Sequence, residues 1–136
     1  MIKLMLPFPP SVNHYFRSIV MPGKNGKPRA QVLISADGRD YRKRVFDVSR
    51  PVLLDGPPLG GRLSVVLTAY PPDLRKRDLD NLAKATLDAL THAGAWGDDS
   101  QIDDLRIIRG GKAGDGGRMV VEISEMPVMR ANREAA

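Results

Sequence analysis

The segment from Arg62 to Gly94 constrains the fold most. Arg62–Tyr70 is apolar and β-branched at nearly every position, and Pro71 and Pro72 stop it. A run without alternation is expected of an interior strand covered on both faces. The period then changes. Asp78 is a candidate N-cap, Leu79, Leu82, Thr86, Leu87 and Leu90 fall within one arc of a helical wheel, and Gly94 supplies the stop. A buried strand followed by an amphipathic helix places that helix against a sheet.

The flanking segments extend the pattern. Ile2, Leu4 and Leu6 alternate with Lys3 and Met5, a first strand ended by Pro7, Pro9 and Pro10. Met21–Arg29, with Pro22, Gly23, Asn25, Gly26 and Pro28, reads as a turn-rich loop partly outside any sheet. Tyr41, Val45 and Val48 recur at helical spacing between Ala36 and Ser49, with Arg42, Lys43 and Arg44 forming a basic face and Pro51 just beyond the expected end. Asp104–Arg109 and Arg118–Ser124 read as two strands joined by a hairpin connection through Gly110–Gly117. The expectation is an α+β fold, a small single domain whose mixed sheet carries two main helices, in the order β-α-β-α-β-β. At 136 residues the chain fits one core, assigned to residues 1–126, with 127–136 a flexible C-terminal tail.

Composition removes several chemistries. The chain has no Cys, which excludes disulfide scaffolds, thiolate zinc sites and cysteine nucleophiles. No apolar run approaches the roughly 18 residues of a membrane span, and Met1–Leu6 is too short for a secretory leader, so a cytoplasmic protein with no membrane partner is expected. The net charge of +5 conceals an uneven distribution. Residues 13–50 hold nine bases against three acids, a footprint for a polyanion, whereas residues 73–104 hold eight Asp against four bases. Clustered carboxylates repel one another unless a cation or a set of donors compensates them.

The stretch Arg75-Lys76-Arg77-Asp78-Leu79-Asp80-Asn81-Leu82-Ala83-Lys84 carries the chemistry. Asp78 at the helix entrance and Asp80 just inside it are hard oxygen donors of the kind Mg²⁺ or Mn²⁺ takes, and flanking bases suit a phosphate backbone. A plainer reading stands beside this one. Acids in a first turn also answer free amides and the helix dipole, and Asp80, Lys84 and Asp88, spaced four apart, can form a salt-bridged solvated face. A second acid pair, Asp98-Asp99, follows the helix. A helix of about 15 residues is roughly 22 Å long, so Asp99 meets Asp78 only if the chain folds back or a sheet gathers the ends.

Arg77-Asp78-Leu79-Asp80-Asn81-Leu82-Ala83-Lys84, then Asp88-Ala89-Leu90, Ala93-Gly94, Trp96, Asp98-Asp99, Gln101 and Asp103, resembles the signature of the RusA family of Holliday-junction resolvases. Leu6-Pro7-Phe8-Pro9-Pro10-Ser11-Val12-Asn13 is similar to that family's opening, and Tyr41-Arg42 and Ile123–Met126 fit its later landmarks. The resemblance implies a homodimeric, Mg²⁺-dependent endodeoxyribonuclease, with Mn²⁺ a possible substitute and no organic cofactor, that makes paired symmetrical nicks in four-way DNA junctions during recombination and repair. It implies Asp78, Asp80 and Asp99 as catalytic, metal-binding acids and Lys84 as the catalytic-site lysine. The segment Ile19–Gln31 and the tail beyond Met126 are longer than the family pattern.

Asn13, Arg17, Arg75, Lys76 and Arg77 are the candidate DNA contacts, and Tyr15 belongs with Asn13 and Arg17 as a candidate phosphate or loop-capping residue. His14 and His92 lack metal spacing, and Trp96 reads as a core or turn anchor. Gly110–Gly117 lacks the ending of a phosphate loop, leaving Lys112 as a further DNA contact. Asp98 is a ligand or a turn acid, and Asp88, Asp103 and Asp104 read as helix-face and strand-edge residues. Two other functions compete: a non-catalytic nucleic-acid-binding protein, and a Mg²⁺-dependent phosphodiesterase acting on another branched DNA or on RNA.

Overall fold

The computed structural model describes residues 1–54, 56–111, 113 and 115–127. Its elements are β1 (Ile2–Pro7), α1 (Val12–Tyr15), β2 (Phe16–Pro22), β3 (Pro28–Ile34), α2 (Ala36–Leu53), β4 (Leu63–Tyr70), α3 (Asp80–Ala93), β5 (Ile102–Arg109) and β6 (Arg118–Glu125). The α+β expectation holds, with one hairpin and one short helix more than the sequence pattern indicated.

Four strands form a mixed sheet in the order β1-β6-β4-β5. β4 pairs parallel with β5 and antiparallel with β6, and β1 pairs antiparallel with β6. A parallel pair needs a crossover between its strands, and α3 is that crossover. β4 is interior as expected, but only one of its faces is fully covered. Leu63, Val65, Leu67 and Ala69 are buried while the alternate residues are half-buried. On that second face Val66 lies in a row with Glu122 and Arg106, long side chains whose stems shield the apolar residue between them.

β5 and β6 do not form a hairpin. β4 lies between them, so Gly110–Gly117 bridges across the end of β4, with Gly110 N–H donating to Ala69 O and Ala113 N–H to Pro71 O. Lys112 and residues 128–136 of the expected tail lie outside the described residues. Met21–Arg29 is likewise not a plain loop. β2 and β3 pair from Phe16↔Ile34 to Pro22↔Pro28 as a separate two-stranded sheet, leaving only residues 23–27 as the turn.

α2 continues through Pro51 to Leu53, past the expected stop. Proline forfeits one helical donor, but Leu54 N–H still reaches Arg50 O and closes the last turn. The core joins Leu4 and Leu6 of β1, the inward residues of β4 and β6, Tyr41 and Val45 of α2, and Leu82, Leu87 and Leu90 of α3. Alanines at 83, 85, 89 and 93 are buried on α3, and such small side chains let α2 and α3 approach closely.

Candidate active site

α3 begins without a side-chain cap. An N-cap residue needs extended backbone, but Leu79, at the helix boundary, has φ −61° and ψ −39°. The first turn closes through main-chain carbonyls instead: Asn81 N–H donates to Asp78 O at 3.2 Å and Leu82 N–H to Leu79 O at 3.1 Å. The sequence reading of Asp78 as N-cap is therefore corrected, and its carboxylate is not spent on capping. Asp78 and Asp80 are both exposed, and neither carboxylate has an ion-pair partner among the described residues.

Asp78 opens onto a cleft of about 350 Å³ lined also by Ser11, Asn13, Lys76, Arg77 and Asn81, with Phe8 and Leu82 as apolar walls. The cleft unites segments more than sixty residues apart, because β1 ends beside the loop that leads into α3. Arg77 is fixed in place: its Nη1 donates to Asp73 Oδ1 at 2.8 Å, and its guanidinium sits 5.4 Å from the centre of the Phe8 ring. The Arg77 bond, aided by Arg75 N–H, holds the Asp73 carboxyl down to about 2. Of the expected DNA contacts, Asn13, Lys76 and Arg77 share this cleft with Asp78. Arg75 is turned outward beside Asp73, and Arg17 lies exposed on β2. Asn81 was legible only as part of the motif. Its position three residues after Asp78 is the signal that both edge the same helical turn.

Beyond α3 the chain folds back. Gly94 has φ 85°, a left-handed cap that glycine adopts freely, and Ala95 N–H donates to Leu90 O. Trp96 is buried as the expected anchor, its Nε1 donating to Thr91 Oγ1 at 2.7 Å. Asp98 then caps a short 3₁₀ turn over Asp99–Gln101, accepting from Ser100 N–H, which lowers its pKa. It serves as a turn acid. Gln101 completes the capping box and donates to Leu59 O and Gly61 O, so a residue without an assigned role fixes this turn. The outcome is that Asp99 Oδ2 stands 3.8 Å from Lys84 Nζ within one chain. Lys84 and Asp99 are thus brought together, whereas no group of three or more acids or histidines gathers into a metal cage among the described residues.

Asp88 is not part of a solvated face with Lys84. Its carboxylate takes Arg42 Nη2 at 2.7 Å and the Tyr15 hydroxyl, while Arg42 Nε donates to Tyr15 Oη at 2.9 Å. This triad ties α1, α2 and α3 together. Burial and the bond to Asp88 push the Tyr15 phenol well above its ordinary range; burial lowers the Arg42 pKa, but its bonds to Asp88 and Tyr15 raise it overall. Tyr15 is fully buried with its hydroxyl engaged by Asp88 and Arg42, which makes it a packing residue and corrects its place among the candidate contacts. Asp103 pairs with Arg62, and Asp104 accepts from Ser64 Oγ, both at the strand edge as expected.

The family model described as Endodeoxyribonuclease RusA matches residues 7–124. This chain belongs to the RusA family. It is 42% identical over 124 residues to the crossover junction endodeoxyribonuclease rusA of Enterobacteria phage HK97, covering 91% of this chain and 94% of that protein. The RusA proteins of Shigella sonnei and Escherichia coli K12 are 39% and 38% identical over the same shares. No helix of the described residues is long and apolar enough to cross a membrane.

The divalent cation implied by the RusA resemblance can be tested against the donors. Mg²⁺ is usually held by one or two carboxylates, its remaining positions filled by water and substrate phosphate, so it needs no all-protein cage. Asp78 in the lining of the basic cleft and Asp80 two residues on, both without an ion-pair partner among the described residues, fit that requirement. Asp99 stands with Lys84 instead, one helical turn beyond Asp80.

Proposed function

We propose that this chain is a structure-selective endodeoxyribonuclease that resolves four-way DNA junctions by paired, symmetrical, Mg²⁺-dependent nicks, acting as a homodimer in the cytoplasm. The observation that carries the reading is the cleft in which Asn13, Lys76 and Arg77 surround Asp78 in a RusA-family chain. The 1–126 segment acts as one catalytic domain, and no organic cofactor is required.

Lys76 and Arg77 attract and hold a backbone phosphate, with Arg77 kept rigid by Asp73 and Phe8 so that little ordering is needed on binding. Asn13 supplies an uncharged donor from the opposite wall. Asp78 and Asp80 would hold Mg²⁺, with Mn²⁺ a substitute; when bound, the ion supplies an activated water and stabilises the leaving oxygen. Lys84 offsets the charge developing on the phosphate, and Asp99 positions its ammonium. Paired nicks of matching symmetry follow from a two-fold assembly with one site on each subunit.

A protein that only binds DNA gains nothing from unpartnered carboxylates beside its phosphate site, since they repel the ligand. The deciding experiment is nicking of a synthetic mobile junction with Mg²⁺ or with chelator, using wild type and Asp80→Asn. Paired nicks that need the cation and vanish in the variant are expected. Junction binding without cleavage under any cation would refute the enzyme reading, and undiminished cutting by Asp80→Asn would refute the site. Preferential cutting of flaps or RNA would move the substrate to the phosphodiesterase alternative.

A further inference from the structure

The β2–β3 ribbon lies outside the main sheet and outside the cleft. Across residues 16–34 it carries Arg17, Lys24, Lys27 and Arg29 with no acid. Its seven-residue strands make it about 23 Å long. The body grips it mainly at its base, where Ser35 N–H and Oγ both donate to Tyr15 O and Gly38 packs so tightly on Tyr15 and Ile34 that a side chain there would collide. At the far end Gly23 N–H donates to Lys27 O, and Asn25 and Gly26 take φ of 66° and 73°, a tight tip that presents Lys24 and Lys27 to solvent.

The ladder register sorts the side chains. Arg17, Met21 and Arg29 share one face, whereas Ser18, Val20, Ala30 and Val32 share the other. Val20 and Val32 are 76% and 63% exposed, so this element buries little apolar surface of its own and is held out from the core. Two occupants compete for it: a nucleic-acid duplex, and a second copy of this chain. The charge decides between them. Two copies would oppose four cations with four cations, whereas a DNA duplex offers a dense line of phosphates and a major groove wide enough for a two-stranded ribbon. Continuity supports the same choice, because β2 begins directly after α1, whose Asn13 lines the phosphate cleft.

Resting on the nuclease reading above, we infer that the β2–β3 ribbon is a second DNA contact, which grips the phosphates of a duplex arm outside the cleft through Arg17, Lys24, Lys27 and Arg29. It makes affinity strongly dependent on salt and extends the bound length of DNA without taking part in the chemistry.

The test uses the full chain and a fluorescent four-way junction. Binding is titrated over a series of salt concentrations for wild type and for the triple variant Lys24→Ala/Lys27→Ala/Arg29→Ala. The triple variant is expected to bind about ten-fold or more weakly at 0.1 M salt, with a slope of log K against log salt shallower by about 2.7 for three lost phosphate contacts. Equal affinity and equal slope in the two proteins would overturn the ribbon proposal while leaving the nuclease reading intact. Wild type that binds no junction at all would overturn the nuclease reading and this proposal with it. Light scattering on Val20→Ser/Val32→Ser separates the other occupant: if that variant loses dimer mass while the triple variant keeps wild-type binding, the ribbon is a subunit contact and the proposal falls.

Discussion

Two carboxylates on one helix meet opposite fates. Asp80 and Asp88 lie two turns apart on α3 and point to similar sides of the helical wheel. Asp88 is half-buried and its Oδ2 is taken by Arg42 and Tyr15, so it fastens three helices. Asp80, like Asp78 before it, stands in solvent with no partner among the described residues. The contrast separates structure from chemistry by a simple criterion. A carboxylate already bound to partners from other helices contributes to stability, while one left open beside fixed cations is available to a ligand.

Exchanging each acid for its amide breaks this comparison most directly. Asp78→Asn should lower junction nicking in Mg²⁺ by about 10²–10³-fold, the order lost with a principal charge-stabilising group. Its melting temperature should stay at the wild-type value. Without metal it should bind junctions no worse than wild type, since a repulsive charge has gone; a folded variant that binds markedly worse would contradict the electrostatic account. Asp88→Asn should do the reverse. Disrupting a half-buried hydrogen-bonded ion pair should cost about 1–3 kcal/mol of stability by denaturant titration. Nicking per folded molecule should remain close to wild type, and a loss matching that of Asp78→Asn would abolish the distinction.

Lys84 tests the boundary between the two behaviours. Its pair with Asp99 is 3.8 Å long and half exposed, so Lys84→Ala should cost no more than about 1 kcal/mol of stability. Cleavage should suffer far more than folding does, with Lys84→Arg recovering part of the rate because the charge is kept. The smallest effect concerns Asp73. Its pKa is depressed by Arg77, so the bond is fully present above the ordinary value near 4 and is lost as pH falls through about 2. An NMR titration of the Asp73 carboxyl carbon should place the midpoint near 2 in wild type and move it part of the way toward the ordinary value of about 4 in Arg77→Ala, where the Arg75 N–H bond remains.

Local pattern carried much of this molecule. β1 and α3 were legible because burial imposes a period of two or of 3.6 on their side chains, and β4 because it is a continuous apolar run stopped by Pro71 and Pro72. The β2–β3 ribbon was not legible, since strands exposed on both faces carry no such period and the cluster of Pro22, Gly23, Gly26 and Pro28 reads as a loop. The insertion of β4 between β5 and β6 is a pairing at long range, absent from any window of sequence. The site shows the same division. Asp78, Lys76 and Arg77 are neighbours in sequence and were found together, and the motif supplied Lys84 and Asp99. That Asp88 is taken by Arg42 and Tyr15, and that Asp99 turns to Lys84, depends on partners from other elements.

The place of β6 gives the sheet its longest-range pairing. Among the described residues β1 pairs with β6 alone, and β4 relies on β6 along one entire edge, so the first strand to be synthesised finds its sheet partner in the last. Loop closure over that separation is slow compared with helix formation. The cleft wall supplied by Phe8, Ser11 and Asn13 follows β1 directly, so one of its two supports is a strand made more than a hundred residues later, the other being α2, where Tyr41 Oη donates to Pro7 O. A chain ending before Arg118 would carry every acid of the candidate site and still lack the strand that joins β1 to β4.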